Sequence, residues 1–169
     1  PSGLPDAPER IRAFVSVPLP ASVLSEITQF QGQVKEAFPR EAVSWTQQMH
    51  LTLKFLGDVR TPALPELQLA LQTVCANAST LTLQPRTLGA FPTIKRPRIL
   101  WLGLDGDMEA LCKLQSELEN AIQPWCETRE SRPFHPHLTL GRVRAGAEQG
   151  ARSLGNALGK IHVPSFAAW

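Results

Sequence analysis

The sequence contains few cysteines, and none of them form a paired motif. Its 169 residues include only three cysteines, and no two are spaced as Cys-x-x-Cys. An odd number without that spacing argues against a disulfide framework and against a thiolate zinc site. We therefore expect reduced cysteines and a cytoplasmic protein.

Long apolar runs are also missing, and the excess of positive charge is small. No run approaches the length of a membrane span, and the opening residues PSGLPDAPER lack the apolar region of a signal peptide. The net charge of +2 is compatible with a phosphate-bearing ligand. It is far too weak to indicate binding along an extended duplex. We expect no membrane partner and a monomer.

What is present indicates a single globular domain, residues 1–169. The apolar fraction of 43% and the charged fraction of 19% are ordinary for such a chain. Helical and strand periodicities alternate along it, which predicts an α+β fold with mainly antiparallel sheets. The predicted strands are 10–17, 42–45, 50–57, 80–91, 98–104, 137–143 and 161–167, and the predicted helices are 21–38, one from about 61, 107–123 and 147–160, with a loop at 92–97.

One tetrapeptide, His-Leu-Thr-Leu, occurs twice, at residues 50–53 and 137–140. We call these the first and the second motif. Side chains in a strand alternate between faces, so the histidine and threonine of each motif share one face and the leucines share the other. By the same alternation, Lys54 is expected on the face of His50, and Phe55 on the opposite, buried face.

Either motif alone is an ordinary amphipathic strand, because threonine is favoured in strands and a histidine on a polar face is common. The chain has only four histidines, however, and both histidine and threonine recur at the same separation of 87 residues. This repetition favours a functional interpretation.

Two histidines and two threonines suit metal-free attack on a phosphodiester. A neutral imidazole can take a proton from water while an imidazolium gives one to the leaving oxygen. Threonine hydroxyls can donate hydrogen bonds to phosphate oxygens, and a nearby arginine or lysine can balance the developing charge. The repetition does not say which histidine has which role.

Two alternatives stay open at this stage. His50, His135 and His137 imitate a three-histidine zinc site of a metal hydrolase, although that site leaves both threonines without a role. A protein that binds RNA ends without turnover is the other alternative, and a ligase that joins RNA ends could use the same residues.

The motifs and their surroundings resemble the two-histidine (2H) phosphoesterase superfamily. The resemblance lies in HLTLKFLGD and FHPHLTLGR, and extends to RAFVSVPLP, FPTIKRPRILWLGL and RPFHPHLTLGR. The most similar branch is that of the RNA 2′,3′-cyclic phosphodiesterases, also called 2′-5′ RNA ligases. It implies a bilobal fold with an internal pseudo-two-fold repeat, in which two antiparallel sheets face a central cleft and helices pack outside.

The resemblance also implies an activity and roles for particular residues. The enzyme would open a terminal 2′,3′-cyclic phosphate of RNA, including tRNA-like fragments, and leave a 2′-phosphate without metal or other cofactor. His50 would be the proton donor and His137 the proton acceptor, with Thr52 and Thr139 beside them. Further expected substrate-binding residues are Arg132, Phe134, Lys54 and Arg142, although alternation puts Arg142 on the face opposite His137.

Overall fold

The α+β class is confirmed by the computed structural model, which describes residues 9–38, 42–126, 132–147 and 151–169, without the side chains of 151–154. Within these residues the chain forms six strands and four α-helices. None of these helices is both long enough and apolar enough to cross a membrane. The strands are β1 (Arg10–Pro18), β2 (Val43–Trp45), β3 (His50–Arg60), β4 (Leu83–Thr93), β5 (Arg96–Gly106) and β6 (His137–Val143), and the helices are α1 (Ala21–Glu36), α2 (Leu64–Ala76), α3 (Met108–Ile122) and α4 (Ala151–Leu158).

Backbone hydrogen bonds link the strands in the order β1-β3-β6-β5-β4, and β2 also pairs with β6. The pairs β2–β6, β3–β6, β4–β5 and β5–β6 are antiparallel, as predicted. The strands form one six-stranded sheet, whereas two separate sheets were predicted.

The chain divides into two compact units. The first comprises the described parts of Pro1–Ser16, Thr52–Thr80 and Glu109–His135, and so holds most of β1 and β3 together with α2 and α3. Its core forms where apolar residues of the two helices pack on the strands. The buried members are Leu56, Val59, Leu67 and Ile122, and partly buried neighbours include Ala13, Val15, Leu64, Leu71 and Trp125.

The second unit comprises the described parts of Val17–Leu51, Leu81–Met108 and Pro136–Trp169. Helix α1 buries one apolar stripe at helical spacing, as predicted, and Phe30 of that stripe packs edge-on against Phe166. The leucines of β5 and β6 supply the other side of the core. The fully buried residues are Val23, Ile27, Phe30, Val34, Val43, Leu51, Leu100, Leu102, Leu138 and Leu140.

Several predicted bounds differ by two or three residues, and two predictions, the loop at 92–97 and the strand at 161–167, were wrong. The hairpin of β4 and β5 runs through the expected loop, since Pro92 lies opposite Pro97 and only Ile94 and Lys95 form the turn. Residues 161–167 are not a strand, because the regular exchange of hydrogen bonds with β4 is confined to Leu83 and Trp169. The predicted helix at 147–160 is observed as α4, and positions 148–150 lie outside the described residues.

Candidate active site

The two motifs begin adjacent antiparallel strands, β3 and β6. Leu51 of the first motif is the backbone partner of Leu138 of the second, and both leucines are fully buried. In an antiparallel pair, the residue before Leu51 faces the residue after Leu138, so His50 lies across from Thr139. His137 is two residues from Thr139 and therefore lies diagonally from His50 on the same face.

This register determines how far apart the two histidines begin. Directly opposite residues in an antiparallel pair have Cβ atoms about 5 Å apart, and diagonal residues are about 7–8 Å apart, with a somewhat shorter distance between their Cβ atoms. His50, His137 and Thr139 are each half-buried, in contrast to the leucines on the other face. The two imidazoles thus project from one face of the second unit, with a threonine hydroxyl beside them.

Thr52 completes the first motif but belongs to the first unit, since the division of the chain falls after Leu51. Its side chain is half-buried, and its role beside His50 stays a prediction.

The His50 ring is held by a hydrogen bond within its own chain segment. Its Nδ1 lies 3.1 Å from the backbone carbonyl oxygen of Gln48. A carbonyl oxygen only accepts, so Nδ1 carries the hydrogen. Nε2 is then the nitrogen that gains or loses a proton, and its direction is determined by this bond.

His137 lies against two aromatic rings that the sequence interpretation did not assign to the site. Its ring centroid is 5.0 Å from that of Phe91, at an interplanar angle of 87°, and 6.3 Å from that of Trp101. Phe91 and Trp101 also contact each other, at 5.1 Å. Pairing of β4, β5 and β6 brings these residues together, and that register is not readable from the sequence.

Arg142 lies on the face of Thr139, contrary to the alternation argument. Trp101 pairs with Thr139, whereas Ile99, two residues earlier on β5, pairs with Arg142, three residues later on β6. This register shift is a β-bulge, which lets one strand gain a residue and turns the next side chain over. Arg142 is exposed there.

The carbonyl oxygen of Leu140, at the bulge, forms hydrogen bonds with other parts of the second unit. This oxygen accepts hydrogen bonds from the Thr46 backbone N–H at 2.9 Å and from the Gln31 side chain at 2.8 Å. Gln31 is a buried residue of α1 and also donates to the Thr46 carbonyl oxygen at 2.9 Å. Helix α1 therefore supports β6 directly behind the second motif.

Lys54 does not lie on an open face, so its predicted position was wrong. Both Leu53 and Lys54 are buried, and Phe55 is 63% exposed, so the alternation slips by one residue after Thr52. The Lys54 ammonium is 2.7 Å from Glu119 Oε1 of α3 and is only 5% exposed. This ion pair gives Lys54 a structural partner within the first unit.

Arg132 and Phe134 lie in the irregular segment before β6, within the first unit. Arg132 is exposed and Phe134 is half-buried. Their contact with substrate stays a prediction. His135, next in this segment, is exposed.

The zinc alternative lacks its ligand set. Among the described residues, which include His50, His135 and His137, no three histidine, cysteine, aspartate or glutamate side chains are grouped so as to hold a metal ion.

Comparison with known proteins shows the family to which the chain belongs. Residues 18–161 match the 2′-5′ RNA ligase superfamily, and the chain belongs to that family. Among its relatives is an Escherichia coli K12 protein named RNA 2′,3′-cyclic phosphodiesterase, 32% identical over 134 residues, which are 78% of this chain and 71% of that protein. A protein of the same name from Aeropyrum pernix is 33% identical over 108 residues, 64% of this chain and 57% of its own.

A further relative and a solved structure are similar to this chain. A Geobacillus stearothermophilus protein of that name is 30% identical over 82% of this chain but only 44% of its own length, so the chain spans about half of some of its curated relatives. The crystal structure of E. coli LigT complexed with 3′-AMP is similar at a TM-score of 0.67 and 26% identity, covering 95% of this chain and 83% of that one.

Proposed function

We propose that this protein is an RNA 2′,3′-cyclic phosphodiesterase that opens a terminal 2′,3′-cyclic phosphate and leaves a 2′-phosphate. The observation that carries the proposal is the pairing of Leu51 with Leu138, which brings His50, His137 and Thr139 to one face. The names of the curated relatives support the same activity.

In the proposed reaction, the two histidines handle one proton each. His137 takes a proton from a water molecule, whose oxygen attacks phosphorus. The bond from phosphorus to O3′ breaks, and His50 gives its proton to the departing oxygen. The bond to O2′ remains, so the product carries a 2′-phosphate and a 3′-hydroxyl. Exchange with solvent then restores both histidines.

The spacing of the two histidines suits this division of work. Side chains that start about 7–8 Å apart on one face can reach opposite sides of a single phosphate group. The hydrogen bond from His50 Nδ1 to Gln48 leaves Nε2 as the nitrogen that would deliver the proton.

Hydroxyl and guanidinium groups would bind the phosphate oxygens. Thr139 lies across from His50, and its hydroxyl can donate to a non-bridging oxygen. We give the Thr52 hydroxyl the same role by analogy between the two motifs. Arg142 is exposed on the face of Thr139 and can balance the developing negative charge. Arg132 and Phe134 are further candidates for contacts to the terminal nucleotide, through phosphate and through stacking on the base.

Ligation is a second reaction of the same site, suggested by the name of the superfamily. A 5′-hydroxyl of another RNA would take the place of water, attack the same phosphorus and displace the same O3′. The product would be a 2′-5′ linkage, and the two histidines would keep their roles.

The experiment is product analysis with an oligonucleotide that ends in a 2′,3′-cyclic phosphate, in excess chelator. We expect complete conversion to the 2′-phosphate, while the same oligonucleotide ending in a 3′-phosphate is not consumed. A 3′-phosphate product would overturn the assigned leaving oxygen. Loss of activity in chelator with recovery on adding zinc would overturn the metal-free mechanism, and tight binding without product would indicate a binding protein.

A further inference from the structure

The aromatic rings around His137 have a geometry that would restrict its imidazole. Phe91 meets the imidazole edge-on, with centroids 5.0 Å apart and planes at 87°. Trp101 lies 6.3 Å away at 58° and also contacts Phe91. We propose that Phe91 and Trp101 are positioning residues, which hold the His137 imidazole in the orientation needed for proton transfer. This inference rests on the proposed function of His137.

The position of the Trp101 ring is determined by two glycines. Gly89 lies across from Trp101 on β4, and a Cβ atom there would overlap the six-membered part of the indole. Gly103, across from His137 on β6, is equally restricted, because its Cβ would lie 3.0 Å from Trp101 Cζ3 and 2.5 Å from Thr87 Oγ1. The indole thus occupies the space over both glycines and extends toward His137.

An imidazole on a half-exposed strand face needs such support. The last torsion of a histidine side chain is broad, so an unsupported ring turns easily. Edge-to-face packing is one of the two arrangements that aromatic rings prefer, and it restricts that rotation. His50 has a hydrogen bond from Nδ1 for the same purpose. For His137, the aromatic pair supplies packing on the ring itself.

The sharpest variant changes neither aromatic residue. Gly89→Ala places a methyl group where the indole lies and must displace it, while His137 and Phe91 stay unchanged. Gly32→Ala is the matched control, because a Cβ at this α1 glycine meets nothing within 4 Å. Trp101→Leu removes the ring, and Trp101→Phe is the conservative variant.

We expect Gly89→Ala and Trp101→Leu to lower kcat about tenfold to hundredfold with little change in KM, since misplaced reacting groups cost rates of that order. Trp101→Phe should recover part of the loss, and Gly32→Ala should behave as wild type. A rise in KM with unchanged kcat would overturn the proposal and make the rings a substrate-binding surface instead. Unchanged kcat and KM in folded Gly89→Ala protein would also overturn it.

A structural measurement separates this inference from the proposed function. In NMR spectra of the wild type, ring protons of His137 should show nuclear Overhauser effects to both Phe91 and Trp101, and Gly89→Ala should weaken those to Trp101. Absence of these effects in the wild type would refute the positioning role whatever the activity. If the effects are present but the wild type does not consume cyclic-phosphate RNA, the proposed function fails, and the positioning role fails with it.

Discussion

Leu51 and Leu138 are backbone partners in adjacent antiparallel strands, and neither has any exposed surface. Each is flanked by a histidine and a threonine, one before it and one after it. Burial of the two leucines therefore sets which side chains face outward, and a slip by one residue would turn the histidines into the core. The register of a hydrophobic pair determines the geometry of the polar site.

The first prediction separates the roles of the two histidines. A substrate with sulfur in place of O3′ has a leaving group that needs no protonation. His50→Ala should therefore regain most of its activity on this substrate, whereas His137→Ala should stay inactive because water still needs a base. Initial rates on the oxygen and sulfur substrates check this. Recovery in His137→Ala instead would reverse the assignment.

The pH dependence should follow the same roles. One histidine must be protonated and the other neutral, so kcat/KM of the wild type should be bell-shaped. Loss of the base removes the fall at low pH, and loss of the acid removes the fall at high pH. The residual activities are measured across pH. That of His137→Ala should fall only at high pH, and that of His50→Ala should fall only at low pH. A profile that keeps both limbs in either variant would contradict the prediction.

The buried ion pair of the first unit should matter for stability. Lys54→Ala removes the cation beside the Glu119 carboxylate, which keeps the hydrogen bond donated by the Gln115 side chain at 3.0 Å. Breaking a buried pair costs about 3–5 kcal/mol in free energy of unfolding, and we expect a loss near the lower end of that range because Glu119 is 17% exposed. Lys113→Ala is the matched control, because its pair with Glu117 is exposed and 4.0 Å long, and exposed pairs contribute about 1 kcal/mol or less. Urea unfolding of the two variants compares them, and equal losses would contradict the burial argument.

Cysteine reactivity should distinguish Cys126 from the other two thiols. Burial raises the pKa of the Cys126 thiol, nearby Lys54 lowers it and Glu119 raises it, with a net upward shift. Since the thiolate is the reactive form, alkylation of Cys126 should need a higher pH than an ordinary thiol does. Cys75 and Cys112 are exposed and should react first. Mass spectrometry of a labelling series follows each site, and early modification of Cys126 would contradict this.

Strand alternation predicted the faces of the motifs but failed beyond them. It places His50 with Thr52 and His137 with Thr139, since both motifs are regular at these positions. It fails at Phe55, where the pattern slips after two consecutive buried residues, and at Arg142, which follows a bulge. Such irregularities depend on the partner strand and on supports such as Gln31, and a single sequence does not encode them in a readable pattern.

The aromatic neighbours of His137 escaped prediction for a related reason. Phe91 and Trp101 lie far from His137 in sequence, and only the register of β4, β5 and β6 joins them. A signal was present in Gly89 and Gly103, because glycine inside a strand indicates the close approach of another group. Without a register, that signal did not identify the group as an indole.

The most direct test of the account is turnover of cyclic-phosphate RNA by His50→Ala and His137→Ala, each shown by circular dichroism to be folded. General acid–base catalysis contributes about 10²–10⁴-fold, so each variant should lose activity of that order. His162→Ala is the matched control, since His162 is exposed and belongs to neither motif, and it should retain wild-type activity. Full activity in either motif variant would contradict a site in which two histidines act on one phosphate.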